Sequence, residues 1–290
     1  MSFKTSFLIL QNKIMSSELI NLAKVHYENF PVGSFFLKKN IKEPIQLIYT
    51  FARVADDFAD EGDFTIEERI LKLNNWEKEF TIALNGISSI EFMNQLSVCI
   101  EQFKLTKQYF YDLIEAFKMD ANEIRFINYD ELNYYCRHSA NPIGRLLLEI
   151  NESNNEENNI LSDKICTALQ IINFIQDVKN DSRKNRCYMP MDLMNRHKCN
   201  ETDLLEVKNE SAKLVLKELL TDSNKLLKDG SALLKKVNKS FRLELKLIFY
   251  SGNEIANKLE KQLLNSNFNR PKINLIDKIK IGAKTVSSYL

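Results

Sequence analysis

Tyr49-Thr50-Phe51-Ala52-Arg53-Val54-Ala55-Asp56-Asp57-Phe58-Ala59-Asp60-Glu61 is the stretch that the rest of the chain has to accommodate. Read as a helix, it sets Tyr49, Arg53, Asp56 and Asp60 at i, i+4, i+7 and i+11, one stripe along one face. The remaining surface carries Ile45, Leu47, Ile48, Phe51, Ala52, Val54, Ala55 and Phe58. A helix that is apolar nearly all round is a buried helix. Carboxylates on it need a cationic partner or a metal ion. A cavity lined by the stripe, with hard cations on the aspartates, is the simplest account.

A second stretch has the same form. Gln170, Asn173, Asp177 and Asp181 stand at i, i+3, i+7 and i+11, and Ile171, Ile172, Phe174, Ile175 and Val178 fill the other faces. For one such stripe the plain alternative is an aspartate that caps or pairs within its own helix. Two of the same design weigh against it. Facing each other, they would make a carboxylate-rich and amide-rich mouth over an apolar interior. Such oxygen donors suit Mg²⁺, which keeps several waters and bridges protein carboxylates to substrate phosphates.

Around these stripes the chain reads as long helices, because only 7 glycines and 5 prolines interrupt 290 residues. Residues 17 to 29 form a first helix, with Met15-Ser16-Ser17-Glu18 as the better start and residues 1–14 as a dispensable leader. Pro44 falls in the first turn of the organising helix, and Gly62 ends it. Thr65 and Glu68 make a capping box for the next helix, whose Trp76 is a core residue. Helices follow over Ile90–Phe103, Tyr109–Asp120 and Tyr129–Ile150, the last broken or kinked at Pro142. Ala140 and Gly144, four apart, leave room for either a packed helix or a substrate chain. Residues 151–159 are a polar loop, and Asp203 to Leu264 is helical throughout. The segment from Arg270 on is basic and apolar, read either as a closing helix of the core or as a membrane-surface helix.

Composition excludes several classes. A net charge of +1 gives no general case for nucleic acid. Five cysteines without a Cys-x-x-Cys pair indicate free thiols in a reducing, cytoplasmic compartment. His197 and Cys199 lack a second pair at metal spacing and read as a solvent-facing loop. No run reaches the ~18 apolar residues of a spanning helix.

The motifs resemble those of the squalene/phytoene synthase family. Its first signature, Arg-x-x-Asp-Asp-x-x-Asp, stands as Arg53 to Asp60, and its second as Gln170 to Asp181. Its Arg-x-Tyr-x-Pro stands as Arg186-Cys187-Tyr188-Met189-Pro190. The likeness runs from about His26 to Pro190. Two segments, His26 to Val32 and Ser139 to Arg145, resemble the bacterial hydroxysqualene synthase branch. Asn185 departs from the glycine common there, but asparagine tolerates left-handed backbone.

The resemblance implies an all-α isoprenoid-synthase fold, a single helical domain over residues 15–290 around a central cavity, with Mg²⁺ as cofactor and an isoprenoid diphosphate as substrate. It implies Arg53, Asp56, Asp60, Tyr135, Asp177 and Asp181 as catalytic residues, and Asp56, Asp60, Asn173, Asp177 and Asp181 as metal ligands. Substrate-binding candidates are Ser34, Tyr49, Arg53, Tyr135, Ser139, Gly144, Gln170, Arg186, Tyr188 and Tyr250. The expected reaction is ionisation of presqualene diphosphate and capture of one water to give hydroxysqualene. Tyr135, Ser139 and Asn141 are the polar groups expected to place that water. The alternative is that Ser139 bonds back to a carbonyl one turn earlier and Tyr135 merely packs. The alternative reaction is head-to-head condensation of two farnesyl or geranylgeranyl diphosphates. A more distant reading is a non-catalytic helical assembly protein, whose mark would be loss of the aspartates. Peripheral contact with the inner face of a membrane fits the basic last segment; oligomeric state is not legible.

Overall fold

The computed structural model describes residues 39–265 and 268–287. The expected first helix, the His26–Val32 segment and Ser34 lie outside the described residues. Helices α1 (Lys39–Asp60), α2 (Ile66–Asn85), α3 (Glu91–Phe103) and α4 (Gln108–Ala121) build a first unit, joined by the short piece Glu149–Asn151. The second unit holds α5 (Tyr129–Ser139), most of α6 (Asn141–Ile150), α7 (Glu156–Arg183), α8 (Met191–Arg196), α9 (Glu201–Leu204), α10 (Glu210–Gly230), α11 (Leu233–Lys236), α12 (Lys239–Leu263) and α13 (Leu275–Ser287). The fold is all-α, with no strand among the described residues.

In the first unit, α1 is anchored through its apolar face. Phe51 is fully buried and meets Trp76, Phe80 and Phe110 at ring-centroid distances of 5.7, 5.1 and 5.2 Å. Trp76 stacks on Phe92, so the core role expected of it holds. Burying one such ring contributes roughly 2–3 kcal/mol, enough to fix which face of α1 turns inward. The polar stripe is thereby left at the edge of the aromatic core. Pro44 lies inside α1 rather than in its first turn, since the helix is already formed at Lys39. So near the start of the helix, proline forfeits a single backbone bond. The C-terminal carbonyls of α1 are held by Arg69, which donates to Phe58, Glu61 and Gly62 at 3.4, 3.2 and 2.8 Å. The Thr65–Glu68 capping box is present in both directions.

In the second unit, the 28-residue α7 is the axis on which α10, α5 and α12 pack. Its neighbours come close where they lack a Cβ. One added at Gly144 would collide with Cys166 and Ser162, and one at Gly252 with Leu169. Gly144 is therefore a helix-packing position, and the groove imagined along Ala140 and Gly144 is closed at Gly144 by α7. Arg145 locks the same contact with a two-pronged bond to Asp163 at 2.9 and 2.5 Å. The expected break before Pro142 occurs at Ala140, between α5 and α6.

The uninterrupted helix expected over 203–264 is instead four pieces, α9 to α12. Val207 takes a left-handed backbone (φ 53°), and Asn209 caps α10 by accepting from Ala212 N at 3.0 Å. Cys199 is buried at 3% exposure and His197 Nε2 lies 2.8 Å from Glu218, so this stretch is packed rather than solvent-facing. All five cysteines are free thiols.

Candidate active site

The first unit supplies the α1 stripe. Arg53 reaches forward along its own helix, with Nη1 at 3.0 Å from Asp56 and Nη2 at 2.5 Å from Asp57. Asp57 is thus engaged with Arg53, in keeping with its position about 100° round the helix from Asp56. Asp56 is crowded. Burial pushes its carboxyl up to about 7; Arg53 opposes, and Asp60, Asp120 and Asp57 add repulsion. Burial also raises the Tyr49 phenol, with Arg53 opposing and Asp56 and Asp57 reinforcing. Asp120, from α4, is buried at 7% exposure and was not singled out in the sequence. Its signal is a charge in line with Leu113 and Phe117 on the inward face of α4.

The second unit supplies the α7 stripe and the segment after it. Asp177 is held by Arg270: Nε bonds Oδ1, and Nη2 lies 3.0 Å from Oδ2. The chain before α13 is tied across α7 at two more points, Gln176 Nε2 to Pro271 O at 2.6 Å and Lys179 Nζ to Phe268 O at 3.3 Å. Asn173 is exposed, while Gln170 and Asp181 are half-buried. One turn from Asp177, Phe174 stacks on Tyr188 with centroids 4.0 Å apart and planes 8° apart. Tyr135 closes on both, at 5.8 and 5.9 Å, and Phe126 on Tyr135 at 5.4 Å. The four rings form one buried aromatic cluster.

Asn185 adopts φ 57°, the backbone that glycine would otherwise supply. Its loop is pinned by Arg125, which donates to Asn185 O at 2.8 Å and forks onto Glu201 at 2.8 and 3.2 Å. That pin holds Arg186 and Tyr188 beside the end of α7. Neither Arg125 nor Arg270 carries a sequence signal, because their partners are 60 to 93 residues away.

Ser139 Oγ is enclosed and has no hydrogen-bond partner among the described residues, so the back-bond to Tyr135 is not made. Asn141 is buried and accepts from Thr167 Oγ1 at 3.0 Å, which makes it a packing residue. Tyr250, on α12, lies against Phe249 with Lys284 Nζ 4.6 Å from its ring centre. A cleft of about 290 Å³ on the Asn133–Arg137 side of α5 contains Asn141 and none of the other expected site residues.

The residues fit Mg²⁺. Every donor is a hard oxygen, and the penalty on the Asp56 anion, set by burial first and by neighbouring carboxylates second, is what a divalent cation would offset. Among the described residues no three acidic, histidine or cysteine side chains form a ready-made metal cage.

Comparison with known proteins gives the class. The squalene/phytoene synthase family model matches residues 23–277, well past Pro190, and the chain belongs to that family of prenyltransferase-type enzymes. It is 31% identical to the hydroxysqualene synthase of Sinorhizobium fredii over 237 residues, 80% of either chain. It is 34% identical to that of Zymomonas mobilis over 187 residues, 63% of this chain and 62% of the relative. The crystal structure of squalene synthase HpnC from Alicyclobacillus acidocaldarius superposes with a TM-score of 0.79 at 28% identity, covering 89% of this chain and 97% of that one.

Proposed function

We propose that this enzyme ionises presqualene diphosphate and adds one water to the resulting cation, giving hydroxysqualene and diphosphate. The observation that carries the water step is Ser139 Oγ, an enclosed hydroxyl with no hydrogen-bond partner among the described residues, one turn from Tyr135 in the aromatic cluster. A polar atom enclosed in that way is a place to hold a water. The hydroxysqualene synthases among the relatives support the same reading.

Asp56 and Asp60 would hold Mg²⁺ on the first stripe, and Asp177, Asp181 and Asn173 would hold it on the second. When bound, such ions supply charge stabilisation for a departing diphosphate. Arg53 and Arg186 would pair phosphate oxygens, and Ser34, Tyr49 and Gln170 would orient the substrate. The rings of Tyr135, Phe174 and Tyr188 shelter the cation from bulk water and face it with π electrons. Ser139 then presents one water.

Residues 15–290 would act as one synthase domain in the cytoplasm, at the inner face of the membrane. A protein starting at Met15 should keep its turnover and melting temperature; loss of either would show that residues 1–14 belong to the fold.

The name of the Alicyclobacillus protein, a squalene synthase, favours a second reading, condensation of two farnesyl diphosphates. Separate incubations with presqualene diphosphate and farnesyl diphosphate, with products identified by mass spectrometry, decide between them. Hydroxysqualene from presqualene diphosphate supports the first. Conversion of farnesyl diphosphate alone, with presqualene diphosphate left intact, overturns it.

A further inference from the structure

Helix α13 buries one face and leaves an apolar one outside. Asp277, Ile281 and Thr285, four residues apart, are buried. Asp277 fixes the helix there: it pairs with Lys258 of α12 and exchanges capping bonds with Asn274 at 2.7 and 2.9 Å. The expected closing helix of the core is therefore present. The opposite face consists of Leu275, Ile276, Ile279, Ala283 and Val286, and the four large side chains are 72, 62, 65 and 57% exposed. At 100° per residue these five fall within one 100° arc. Lys278 borders the arc on one side and Lys280 on the other, while Lys284 turns back over the Tyr250 ring. The one acid of the helix, Asp277, points the other way.

We infer that this outward face of α13 is the surface by which the enzyme docks on an anionic lipid membrane. An apolar stripe about 20 Å long, rimmed by lysines, matches the boundary between acyl chains and negative headgroups. Lysine stems can lie along the apolar layer while their ammonium groups reach the phosphates. The charge pattern selects this occupant over two others. A second copy packed face to face would set lysine rims against lysine rims. The chain's own residues 1–38 carry Lys4, Lys13, Lys24 and Lys38 against Glu18 and Glu28, and so offer no acidic run to meet the rims. Among the described residues no helix is long and apolar enough to cross a membrane, so docking would be peripheral.

The test needs no substrate, so its outcome is independent of the reaction proposed above. Full-length protein is floated with vesicles of equal phosphatidylglycerol and phosphatidylcholine, and with phosphatidylcholine alone. It should bind the anionic vesicles, release as salt is raised, and bind the neutral ones on the order of tenfold less. Leu275→Ser with Ile279→Ser should lower binding on the order of tenfold with an unchanged melting temperature. Lys278→Glu with Lys280→Glu should abolish the preference for anionic vesicles. Wild-type protein that stays with the solvent, or a serine variant that floats as well as wild type, overturns the inference. So does a serine variant that turns a dimer into a monomer by light scattering, which would assign the face to a second copy. A serine variant that melts many degrees lower would assign it to the chain's own segment and overturn it equally.

Discussion

Replacing Asp56 by asparagine should make the protein inactive and, at neutral pH, more stable. The carboxyl is pushed up to about 7 in the fold, against 3.8 ordinarily. The unfolded chain therefore gives up this proton near pH 4, while the folded chain keeps it to about 7. Between those values folding takes up a proton, so the stability contributed by Asp56 falls as pH rises from about 4 to about 7 and stays low above. At 1.36 kcal/mol per pH unit the full penalty would be about 4 kcal/mol. The side chain is 40% exposed, and solvent screening reduces the penalty to about 1–2 kcal/mol. Asparagine has no proton to lose and gives up only a solvent-facing contact with Arg53, which keeps Asp57. Relative to wild type, Asp56→Asn should gain about 1 kcal/mol between pH 5 and pH 8, or about 3 °C in melting temperature for a chain of this size.

The assay is thermal unfolding by circular dichroism at pH 5 and pH 8 with a chelator present, with turnover measured beside it. Adding Mg²⁺ at pH 8 should raise the melting temperature of wild type more than that of the variant. A stability gap that is the same at both pH values, or that closes toward pH 8, would refute the argument from the raised Asp56 carboxyl.

Asp177→Asn should lower turnover by orders of magnitude with little change in melting temperature, because charge at the leaving group is the main catalytic term; near-normal turnover at limiting metal would exclude Asp177 as a ligand. Arg270→Gln frees the Asp177 carboxylate and should tighten Mn²⁺ binding by the substrate-free protein, read by paramagnetic resonance; unchanged or weaker binding would show that the arginine does not compete with a cation. Ser139→Ala and Tyr135→Phe should move products toward rearranged or eliminated hydrocarbons while diphosphate release continues, and hydroxysqualene made in ¹⁸O-water should carry the label. Gly144→Ala puts a methyl group against Ser162 and Cys166 and should cost about 1–3 kcal/mol in chemical denaturation; a neutral result would mean that α6 and α7 separate easily.

What was legible in the sequence is what short spacing encodes. The two stripes, the Thr65 capping box, the core role of Trp76 and the left-handed Asn185 all depend on residues within a turn or two. The breaks after α9, α10 and α11 were not legible, because leucine and lysine keep helical spacing straight across them. The break after α9 comes with Val207 in a left-handed backbone and Asn209 capping α10, the one after α10 falls at Gly230, and Asn238 begins α12 after α11. Arg125 and Arg270 were missed for a different reason. An arginine in a loop has no periodicity, and its meaning lies in a partner brought near by the fold. Cys199 escapes the sequence reading because a cysteine in a polar stretch gives no sign that the fold will bury it.

The two stripes keep their carboxylates ready for a cation by different means, and the difference has a consequence. On α1 the charge is suppressed: Asp56 keeps its proton because burial disfavours the anion, with repulsion from Asp60, Asp120 and Asp57 adding to it. A cation arriving there must release that proton, so its affinity should rise with pH up to about 7 and level off above. On α7 the charge is present and already paired, because Arg270 forks onto Asp177 and raises its own hold on the proton in doing so. A cation arriving there must displace a guanidinium, and that exchange has no comparable dependence on pH near neutrality, since arginine stays charged. Metal titrations of the substrate-free protein at pH 6 and pH 8 should therefore show one pH-dependent class of site, lost in Asp56→Asn, and one pH-independent class, strengthened in Arg270→Gln. A diphosphate bound near the second stripe would offer the displaced Arg270 a new anion. Metal and substrate should then bind that stripe cooperatively, and Arg270→Gln should weaken the cooperativity even as it tightens the metal alone.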